Sequence, residues 1–382
     1  MSRISWTKND AVFSPSFGNR PKELIGRGQI LADVLDGLRS SPGSKGRATL
    51  LLGQRGYGKT VLLLELAELA RKEGYVVASP TITSAGMLER IVEKIQQEGE
   101  SLVPESMRKL SGGSVGFLGF SVGLQFTESD QRTKTFPYKL AKLTTALNEK
   151  GRGVLILVDE VQGNNEALKE LIIAYQELVG EGRDIAVVFA GLPGAISSIL
   201  NDRVLTFLNR ANKIALDPLS YLDIDAYYLK AFQETGVQLS NEMRKKAVQC
   251  TDGSPYMMQL IGHSILAYAR ENGELDELLL ENAVSAAREE FMNDICKTQI
   301  DSLTGKDLAF LKAMAQDQEK SKIGDVVKRM GVTPDYAQNY KRRLIDAGII
   351  KQERRGEVQF AVPYLRDYLI QGNDETGSKV LY

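Results

Sequence analysis

The sequence predicts an α/β protein with a parallel β-sheet in its first part, an α-helical region in the middle and a helix-turn-helix module near its end. Short apolar runs alternate with helical segments over about the first 220 residues, which is typical of a parallel sheet covered by helices. A chain of 382 residues exceeds one ordinary core, so two or three domains are expected. The composition, 43% hydrophobic and 25% charged, is that of a globular protein.

The first predicted strand, Ala48–Leu52, is followed by a glycine-rich turn and by a helical run over Val61–Lys72. The turn fits the pattern G-x-x-x-x-G-K-[ST], in which glycines let successive backbone N–H groups curl around phosphate oxygens. A chance match in an ordinary loop is the alternative, but the strand before the turn and the helix after it are the context that this chemistry requires. We therefore predict a site for ATP or ADP.

Two side chains of this loop, Lys59 and Thr60, are expected to contact the phosphates and the metal ion of the nucleotide. Lys59 is expected to reach the β- and γ-phosphates, and the Thr60 hydroxyl is expected to hold Mg²⁺. The whole predicted nucleotide-binding segment is Gly53, Gln54, Arg55, Gly56, Tyr57, Gly58, Lys59, Thr60 and Val61.

Two adjacent carboxylates, Asp159 and Glu160, end another apolar run. Strands are predicted at Gly74–Ala78, Gly153–Glu160 and Asp184–Ala190. In a P-loop fold, the first acid at such a strand end reaches Mg²⁺, and the second can polarise the attacking water as a general base. Strand-end acids are often merely solvated, but the position about a hundred residues after the phosphate loop favours the catalytic interpretation.

The segment over residues 111–127 is rich in glycine and alternates apolar residues, which predicts a hairpin inserted at the edge or top of the sheet. It could contact DNA or a partner, or simply cover the site. We favour the covering flap, because no positive charge occurs between residue 111 and Arg132.

Together these residues resemble AAA+ ATPases of the origin-recognition, archaeal-initiator and STAND-like group. Ile25, Gly26 and Arg27 match a short segment that in this group precedes the phosphate loop and lies near the adenine. A predicted helix over 28–39 fills the interval before the loop. The resemblance covers nearly the whole chain and implies an ATPase with a helical lid.

The same resemblance assigns a role to Arg210, which stands shortly before the segment Ile214–Leu219. In the group, an arginine at that place can act on the γ-phosphate held by a neighbouring subunit, which implies a homo-oligomer. A guanidinium there neutralises charge in the transition state. Arg203 is the second choice, and an ordinary surface or ion-paired arginine is the alternative.

Pro255 belongs to a G-x-P segment that opens a lid helix in STAND-like members, and it is expected to contact the nucleotide. The chain departs from the group's pattern twice. No arginine occurs over residues 252–262, where classical members read the nucleotide state. No polar sensor residue follows the strand that ends at Ala190 until Ser197. Hydrolysis is therefore expected to be slow.

The last part of the chain resembles a winged helix-turn-helix domain over about residues 300–370. Three helices are predicted at Lys306–Ala315, Lys322–Met330 and Asp335–Ala347. Thr333 is a predicted N-cap with Pro334 at the first helical position. A strand at 349–352 and another at 358–362 flank a turn and complete the order of such a domain.

If this domain binds double-stranded DNA, its third helix enters the major groove and the wing lies over the backbone. The candidate contacts are Gln338, Asn339, Lys341, Arg342, Arg354 and Arg355. A protein-interaction module is the alternative. Residues 301–370 carry 13 Lys and Arg against 10 Asp and Glu, a small excess, and Asp335 and Asp346 flank the third helix.

The predicted domains are an ATPase core over 1–220, a helical lid over 221–298, a winged helix over 299–372 and a tail over 373–382. No apolar run reaches the length of a membrane span, and the first residues lack a signal peptide's apolar core. Cys250 and Cys296 lie far apart, which argues against a zinc site or a disulfide framework. His263, the one histidine, is expected in the core or at its edge and is assigned no chemistry. A cytoplasmic protein is expected.

The sequence thus predicts an ATP-dependent molecular switch whose C-terminal module carries the output, most simply to DNA. A DNA-loading or DNA-remodelling ATPase is one form of this hypothesis. A signalling or defence switch, in which the winged helix binds a protein or holds the ATPase closed, is another. A module that uses nucleotide only for structure is the third, and Glu160 beside Asp159 argues against it.

Overall fold

The computed structural model describes residues 12–15, 21–101, 134–163 and 165–377. The chain divides into two compact units. The sheet unit comprises Arg27–Gly53 and Lys59–Ala215, and the helical unit comprises Met1–Gly26, Gln54–Gly58 and Leu216–Tyr382, as far as these residues are described.

This division into two units differs from the three predicted domains, whose bounds at 220, 298 and 372 stay a prediction. The glycine-rich segment 111–127, predicted to form a hairpin, lies outside the described residues.

Five parallel strands form the centre of the sheet unit, in the order β2-β3-β4-β1-β5. They are β1 (Ala48–Leu52), β2 (Val76–Ile82), β3 (Val154–Val161), β4 (Ile185–Gly191) and β5 (Asn212–Ala215). The interior strands β3 and β4 are buried almost throughout, as expected where both faces of a parallel sheet are covered. The α/β fold class with a parallel sheet is therefore confirmed.

Helices connect these strands. They are α1 (Gly28–Arg39), α2 (Lys59–Lys72), α3 (Met87–Ser101), α4 (Phe136–Asn148), α5 (Glu166–Gly180) and α6 (Pro193–Leu200), with short 3₁₀ turns at Lys45–Arg47 and Thr206–Arg210. The predicted bounds of β1 and α1 are confirmed, whereas β5 was not predicted as a strand.

Arg47 ties together the segments that lead into three of the strands. Its buried guanidinium donates to the Ser40 carbonyl at 2.9 Å, to the Tyr75 hydroxyl at 2.7 Å and to the Asp184 carboxylate. Arg47 immediately precedes β1, Tyr75 precedes β2 and Asp184 precedes β4. Burial, aided by the Asp184 charge, raises the pKa of Tyr75 to about 12, so its hydroxyl stays a neutral partner.

Lys94 of α3 fixes an irregular stretch of β2, which is an edge strand of the sheet. Its ammonium donates to the carbonyls of Ser79 at 3.0 Å and Pro80 at 2.9 Å, and to the Thr81 hydroxyl at 2.8 Å. The pairing register with β3 shifts between Ala78 and Thr81. Burial lowers the pKa of the Lys94 ammonium.

The helical unit begins with a bundle and continues into a small α/β module. The bundle helices are α7 (Tyr221–Thr235), α8 (Asn241–Gln249), α9 (Pro255–Asn272), α10 (Glu277–Phe291) and α11 (Thr298–Asp301), with a π-helical segment Met292–Lys297 before α11. The module contains α12 (Gly305–Ala315), β6 (Ser321–Lys322), α13 (Ile323–Met330), α14 (Pro334–Asp346), β7 (Ile350–Arg354), β8 (Glu357–Phe360) and α15 (Leu365–Gly377).

The module has the three helices and the hairpin that the sequence predicts. Its three short strands pair antiparallel in the order β6-β8-β7. The predicted cap is also confirmed, because the Thr333 hydroxyl accepts the Tyr336 N–H at 3.4 Å and Pro334 occupies the first turn of α14. Assignment of this module to the winged-helix family stays a prediction.

The segment around Phe13 is part of the core of the helical unit. Phe13 is 1% exposed, and its ring centroid lies 5.7 Å from that of Tyr227, 5.8 Å from Tyr228 and 5.3 Å from Phe232. A Cβ added at Gly262 would lie 2.3 Å from the Phe13 ring. Glycine in the middle of α9 therefore makes room for this side chain.

Among the described residues, none of the helices combines the length and the apolar character that crossing a membrane requires.

We expect Arg47→Ala to lower the free energy of unfolding by about 2 to 3 kcal/mol, because it removes the donor of the Ser40 carbonyl and leaves Asp184 with only the Tyr75 hydroxyl, at 3.3 Å, as a donor. Chemical denaturation followed by circular dichroism measures this. Lys45→Ala, an exposed change in the same 3₁₀ turn, is the control and should shift stability by less than about 0.5 kcal/mol. Equal midpoints for wild type and Arg47→Ala would contradict the prediction.

We expect Gly262→Ala to destabilise the helical unit by about 1 to 3 kcal/mol, since the new methyl collides with the Phe13 ring. Gly305→Ala is the control, because a Cβ there meets no atom within 4 Å. The cost of Gly262→Ala should shrink in a Phe13→Ala background, which thermal unfolding of the four variants can test. If the cost is the same in both backgrounds, the collision is not its cause.

Candidate nucleotide-binding site

The phosphate loop begins where β1 ends and is tied to β4. The Gly53 N–H donates to the Gly191 carbonyl at 3.2 Å, and the Gly53 carbonyl accepts the Lys59 ammonium at 2.8 Å. Lys59 starts α2, so its side chain folds back over the loop. The loop is closed by its own lysine, whose ammonium can exchange this carbonyl for a phosphate oxygen.

The crest of the loop, Gln54–Gly58, belongs to the helical unit. The Tyr57 N–H donates to the Gln54 carbonyl at 3.3 Å, and the Gly56 carbonyl accepts the Tyr256 N–H at 3.2 Å. Gly56 and Gly58 have φ values of 77° and 80°. These values lie in the left-handed region that favours glycine. A Cβ at Gly58 would meet no atom within 4 Å, so glycine is needed there for backbone conformation and not for space.

Thr60 and Asp159, the two predicted metal ligands, lie together in the sheet unit. The Thr60 hydroxyl donates to the Asp159 Oδ2 atom at 2.5 Å, and the Asp159 Oδ1 atom accepts the Glu160 N–H at 2.8 Å. Asp159 is 3% exposed, whereas Glu160 is exposed. A hydroxyl and a carboxylate are hard oxygen ligands of the kind that Mg²⁺ prefers, so this pair fits the predicted ion.

A bulge in β3 aims the two acids. Val158 pairs with Phe189 and Val161 pairs with Gly191, so β3 has one residue more than β4 over this interval. Glu160 has φ 49°, a left-handed conformation that costs a residue other than glycine about 1 kcal/mol or more. Bulges next to active sites re-aim side chains. This bulge brings the Asp159 carboxylate to Thr60 and leaves the Glu160 carboxylate in solvent.

The missing polar sensor has a local structural reason. A Cβ at Gly191 would lie 3.2 Å from the Val161 carbonyl, just after the bulge. The Gly191 carbonyl also accepts the first N–H of the phosphate loop. Glycine at this strand end is therefore favoured by close packing.

Ile25 and Gly26 lie in the helical unit, whereas Arg27 lies in the sheet unit. Ile25 is half-buried against the core of its unit, and Gly26 has φ 64°. Arg27 is 6% exposed, and its carbonyl accepts the Leu31 N–H at 3.1 Å as α1 begins. Their predicted position near the adenine is not tested by these contacts.

Pro255 occupies the first turn of α9 and follows Ser254, whose hydroxyl accepts the Met257 N–H at 3.3 Å. The backbone contact to the loop is made by the next residue, Tyr256, which sequence reasoning missed. The sequence offers one signal for a tight turn here, the pair Asp252-Gly253, and both residues have left-handed φ values of 48° and 67°.

Arg210 ends a 3₁₀ turn that one residue, Ala211, separates from β5, and its side chain is exposed, as is that of Arg203. Neither guanidinium has an ion-pair partner among the residues that the structure describes. Either arginine is accessible to a second copy of the chain, and the role assigned to Arg210 stays a prediction.

The predicted DNA contacts lie on α14 and on the hairpin. Gln338, Asn339 and Arg342 are exposed on one side of α14, and Arg354 and Arg355 are exposed at the hairpin turn. The three arginines have no carboxylate partner within the described part of the chain.

Lys341 is half-buried, and its ammonium donates to the Gln352 Oε1 atom at 2.8 Å. It therefore connects α14 to β7 and is less available for a phosphate than the arginines are.

The parallel sheet, the glycine loop and the Thr60–Asp159 pair are the features of a P-loop nucleotide-binding domain. Residues 23–188 match a family model described as AAA ATPase domain. The chain therefore carries an AAA-type, nucleotide-binding ATPase domain. Residues 293–369 match a second family, described as a domain of unknown function (DUF8462). No curated protein matches the sequence significantly.

Solved structures share the fold over nearly the whole chain. A Walker-type ATPase of Pyrococcus abyssi is 16% identical, with a TM-score of 0.65 over 92% of this chain and 97% of that one. The ORC2 protein of Aeropyrum pernix, in ADPNP-ADP complexes, is 17% identical, with a TM-score of 0.64 over 95% and 98%. Cdc6p of Pyrobaculum aerophilum is 18% identical, with a TM-score of 0.50 over 96% and 98%. At these identities the likeness shows a common fold.

We expect Glu160→Gln to reduce ATP turnover by about 100-fold or more while leaving the dissociation constant for ATP within about threefold, because only the basicity of the side chain is lost. Phosphate release and the binding of a fluorescent ATP analogue measure the two quantities.

Glu166→Gln, at an exposed side chain in the first turn of α5, is the matched control and should hydrolyse ATP like the wild type. If Glu160→Gln hydrolyses ATP at the wild-type rate, Glu160 is not the general base.

Proposed function

We propose that this protein is an ATP-driven molecular switch whose helical unit transmits the nucleotide state to the C-terminal module, and that this module binds double-stranded DNA. The observation that carries the proposal is the hydrogen bond between Thr60 and Asp159, beside an exposed Glu160 held in a strained backbone conformation. Strain of this kind is retained where it serves function. A module that used nucleotide only for structure would not need it.

In this proposal the backbone N–H groups of the loop hold the phosphates, and Lys59 leaves the Gly53 carbonyl to bind the β- and γ-phosphates. Thr60 and Asp159 would hold Mg²⁺, which when bound neutralises charge on the phosphate oxygens. Asp159 is already fixed by two hydrogen bonds, so little reorganisation is required of the chain.

Glu160 then orients and deprotonates the attacking water, and Arg210 of a second copy stabilises the charge that develops on the γ-phosphate. The exposure of both side chains supports these roles. Hydrolysis is slow because Gly191 replaces a polar sensor at the end of β4 and because the start of α9 has no arginine. A slow reset suits a switch.

Two observations support DNA as the target of the output. The exposed side of α14 presents Gln338, Asn339 and Arg342, a set that can hydrogen-bond base edges and phosphates. Arg354 and Arg355 stand at the tip of the hairpin without carboxylate partners in the described structure, so no ion pair has to break before they bind phosphate.

A second candidate function, a signalling or defence switch with an autoinhibitory or protein-binding C-terminal module, is favoured by a different observation. The module is not separated from the bundle, because one continuous apolar core extends from Val12 to Leu369. The Tyr364 hydroxyl, between β8 and α15 of the module, also donates to the Cys250 carbonyl of the bundle. Such packing suits a module that restrains the ATPase.

Duplex binding in different nucleotide states tests the proposal. We expect tighter binding with a slowly hydrolysed ATP analogue than with ADP, and a logarithmic salt slope that falls by about 3 in an Arg342→Ala/Arg354→Ala/Arg355→Ala variant. Fluorescence anisotropy of a labelled duplex across a salt series measures both.

Lys45→Ala/Lys245→Ala/Lys297→Ala is the control, since it removes the same charge from exposed positions outside α14 and the hairpin. An equal loss of binding in both triple variants would mean that net charge alone attracts DNA. No duplex binding in any nucleotide state would reject DNA as the target and favour the signalling alternative.

A further inference from the structure

We propose that Tyr256 senses the state of the phosphate loop and passes it to the C-terminal module through Asp294, Phe291 and Tyr364. This inference rests on the proposed function as a nucleotide switch, and it names the residues that carry the signal in a chain whose lid helix begins without an arginine. All of them, together with the loop crest at Gly56, belong to the helical unit.

The first contact joins the start of α9 to the loop crest. The first N–H groups of a helix have no partner within the helix, and Pro255 has no N–H at all. The Tyr256 N–H finds its acceptor in the Gly56 carbonyl at 3.2 Å. A Cβ at Gly56 would lie 3.3 Å from the Tyr256 Cβ, so the two backbones are also closely packed.

Phosphate binding can alter the hydrogen bond between Tyr256 and Gly56 by rotating the peptide group that joins Gly56 to Tyr57. The Gly56 carbonyl and the Tyr57 N–H belong to the same planar peptide group, so they can only turn together. The Tyr57 N–H here donates to the Gln54 carbonyl at 3.3 Å. When it turns to donate to a phosphate oxygen, the Gly56 carbonyl turns as well, and the hydrogen bond to Tyr256 must change.

The Tyr256 side chain connects this hydrogen bond at the loop crest to the π-helical segment Met292–Lys297. Its hydroxyl donates to the Asp294 Oδ2 atom at 2.5 Å, and its ring lies 5.9 Å from the Phe291 ring with an interplanar angle of 36°. Burial, followed by this hydrogen bond, raises the pKa of Tyr256, so the hydroxyl remains a donor. Asp294 lies in the π-helical segment, and π-helical turns are frequent at functional sites because they depart from regular packing.

Phe291 completes the path to the C-terminal module. It is fully buried, and the Tyr364 ring meets it edge-on at 6.1 Å. Tyr364 is held from two other sides, by the Arg288 guanidinium 4.6 Å above its ring and by the Cys250 carbonyl that accepts its hydroxyl. Its φ of 59° is left-handed, so contacts and not backbone preference keep it in place.

The turn before α9 is fixed and cannot absorb the displacement. The Leu219 N–H donates to the Gly253 carbonyl at 2.8 Å, and a Cβ at Gly253 would lie 2.7 Å from the Pro218 Cβ. A change at the loop crest is therefore transmitted along the tyrosine side chain. A purely structural aromatic cluster would have the same contacts, but it would not respond to nucleotide.

Tyr256→Phe tests the path, because it removes only the hydroxyl and keeps the ring and the backbone donor. We expect wild-type hydrogen–deuterium exchange over residues 350–365 to differ by about fivefold or more between ADP and a slowly hydrolysed ATP analogue. In Tyr256→Phe this difference should fall below about twofold, while the affinities for both nucleotides stay within about twofold of the wild type.

Asp294→Ala, at an exposed side chain, should give the same loss, and the double variant should lose no more than either single variant. Tyr221→Phe is the matched control, an exposed tyrosine of the same unit, and should behave like the wild type. If exchange over residues 350–365 differs between the two nucleotides as much in Tyr256→Phe as in the wild type, the path is wrong, but the switch is not contradicted. No nucleotide difference in the wild type overturns both the path and the switch.

Discussion

The level at which the strands end is the constraint on which this structure depends. Gly191 pairs with Leu52 of β1 on one side and with Val161 of β3 on the other, so one residue of β4 aligns both neighbouring strands. The phosphate loop follows the end of β1, and the acid pair lies just before Val161, the last residue of β3. Because the sheet register aligns the two strand ends, the Thr60 hydroxyl lies 2.5 Å from the Asp159 Oδ2 atom. A register slip by one residue would move every side chain of a strand to its opposite face, and the site would be lost with the core.

The helical unit depends on a different kind of constraint, the filling of one apolar core by segments far apart in sequence. Phe13 and Leu369 belong to the same cluster. Cores are packed like crystals of small molecules, so they shift between discrete arrangements more readily than they deform. A unit built in this way can pass a small displacement from one of its parts to another, which an elongated string of separate modules could not do.

The elements that the sequence predicts best are those whose side chains form a recognisable pattern. The apolar runs locate β1, β3 and β4, and the cap at Thr333 locates the start of α14. It misses β5, a short edge strand whose residues alternate between half-buried and exposed and therefore lack a continuous apolar run. The bulge at Glu160 and the hydrogen bond from Tyr256 to Gly56 were not predictable. Both are long-range properties of the backbone, for which residue types carry no pattern.

Lys94 on α3 blocks part of the free edge of β2. A free edge strand offers its carbonyls and N–H groups to any strand of another chain, but at Ser79 and Pro80 the carbonyls are already taken by Lys94, and Pro80 has no N–H to offer. This stretch of β2 cannot serve as a template for a further strand. Any further strand laid along this edge would find its ladder of hydrogen bonds interrupted at these two residues.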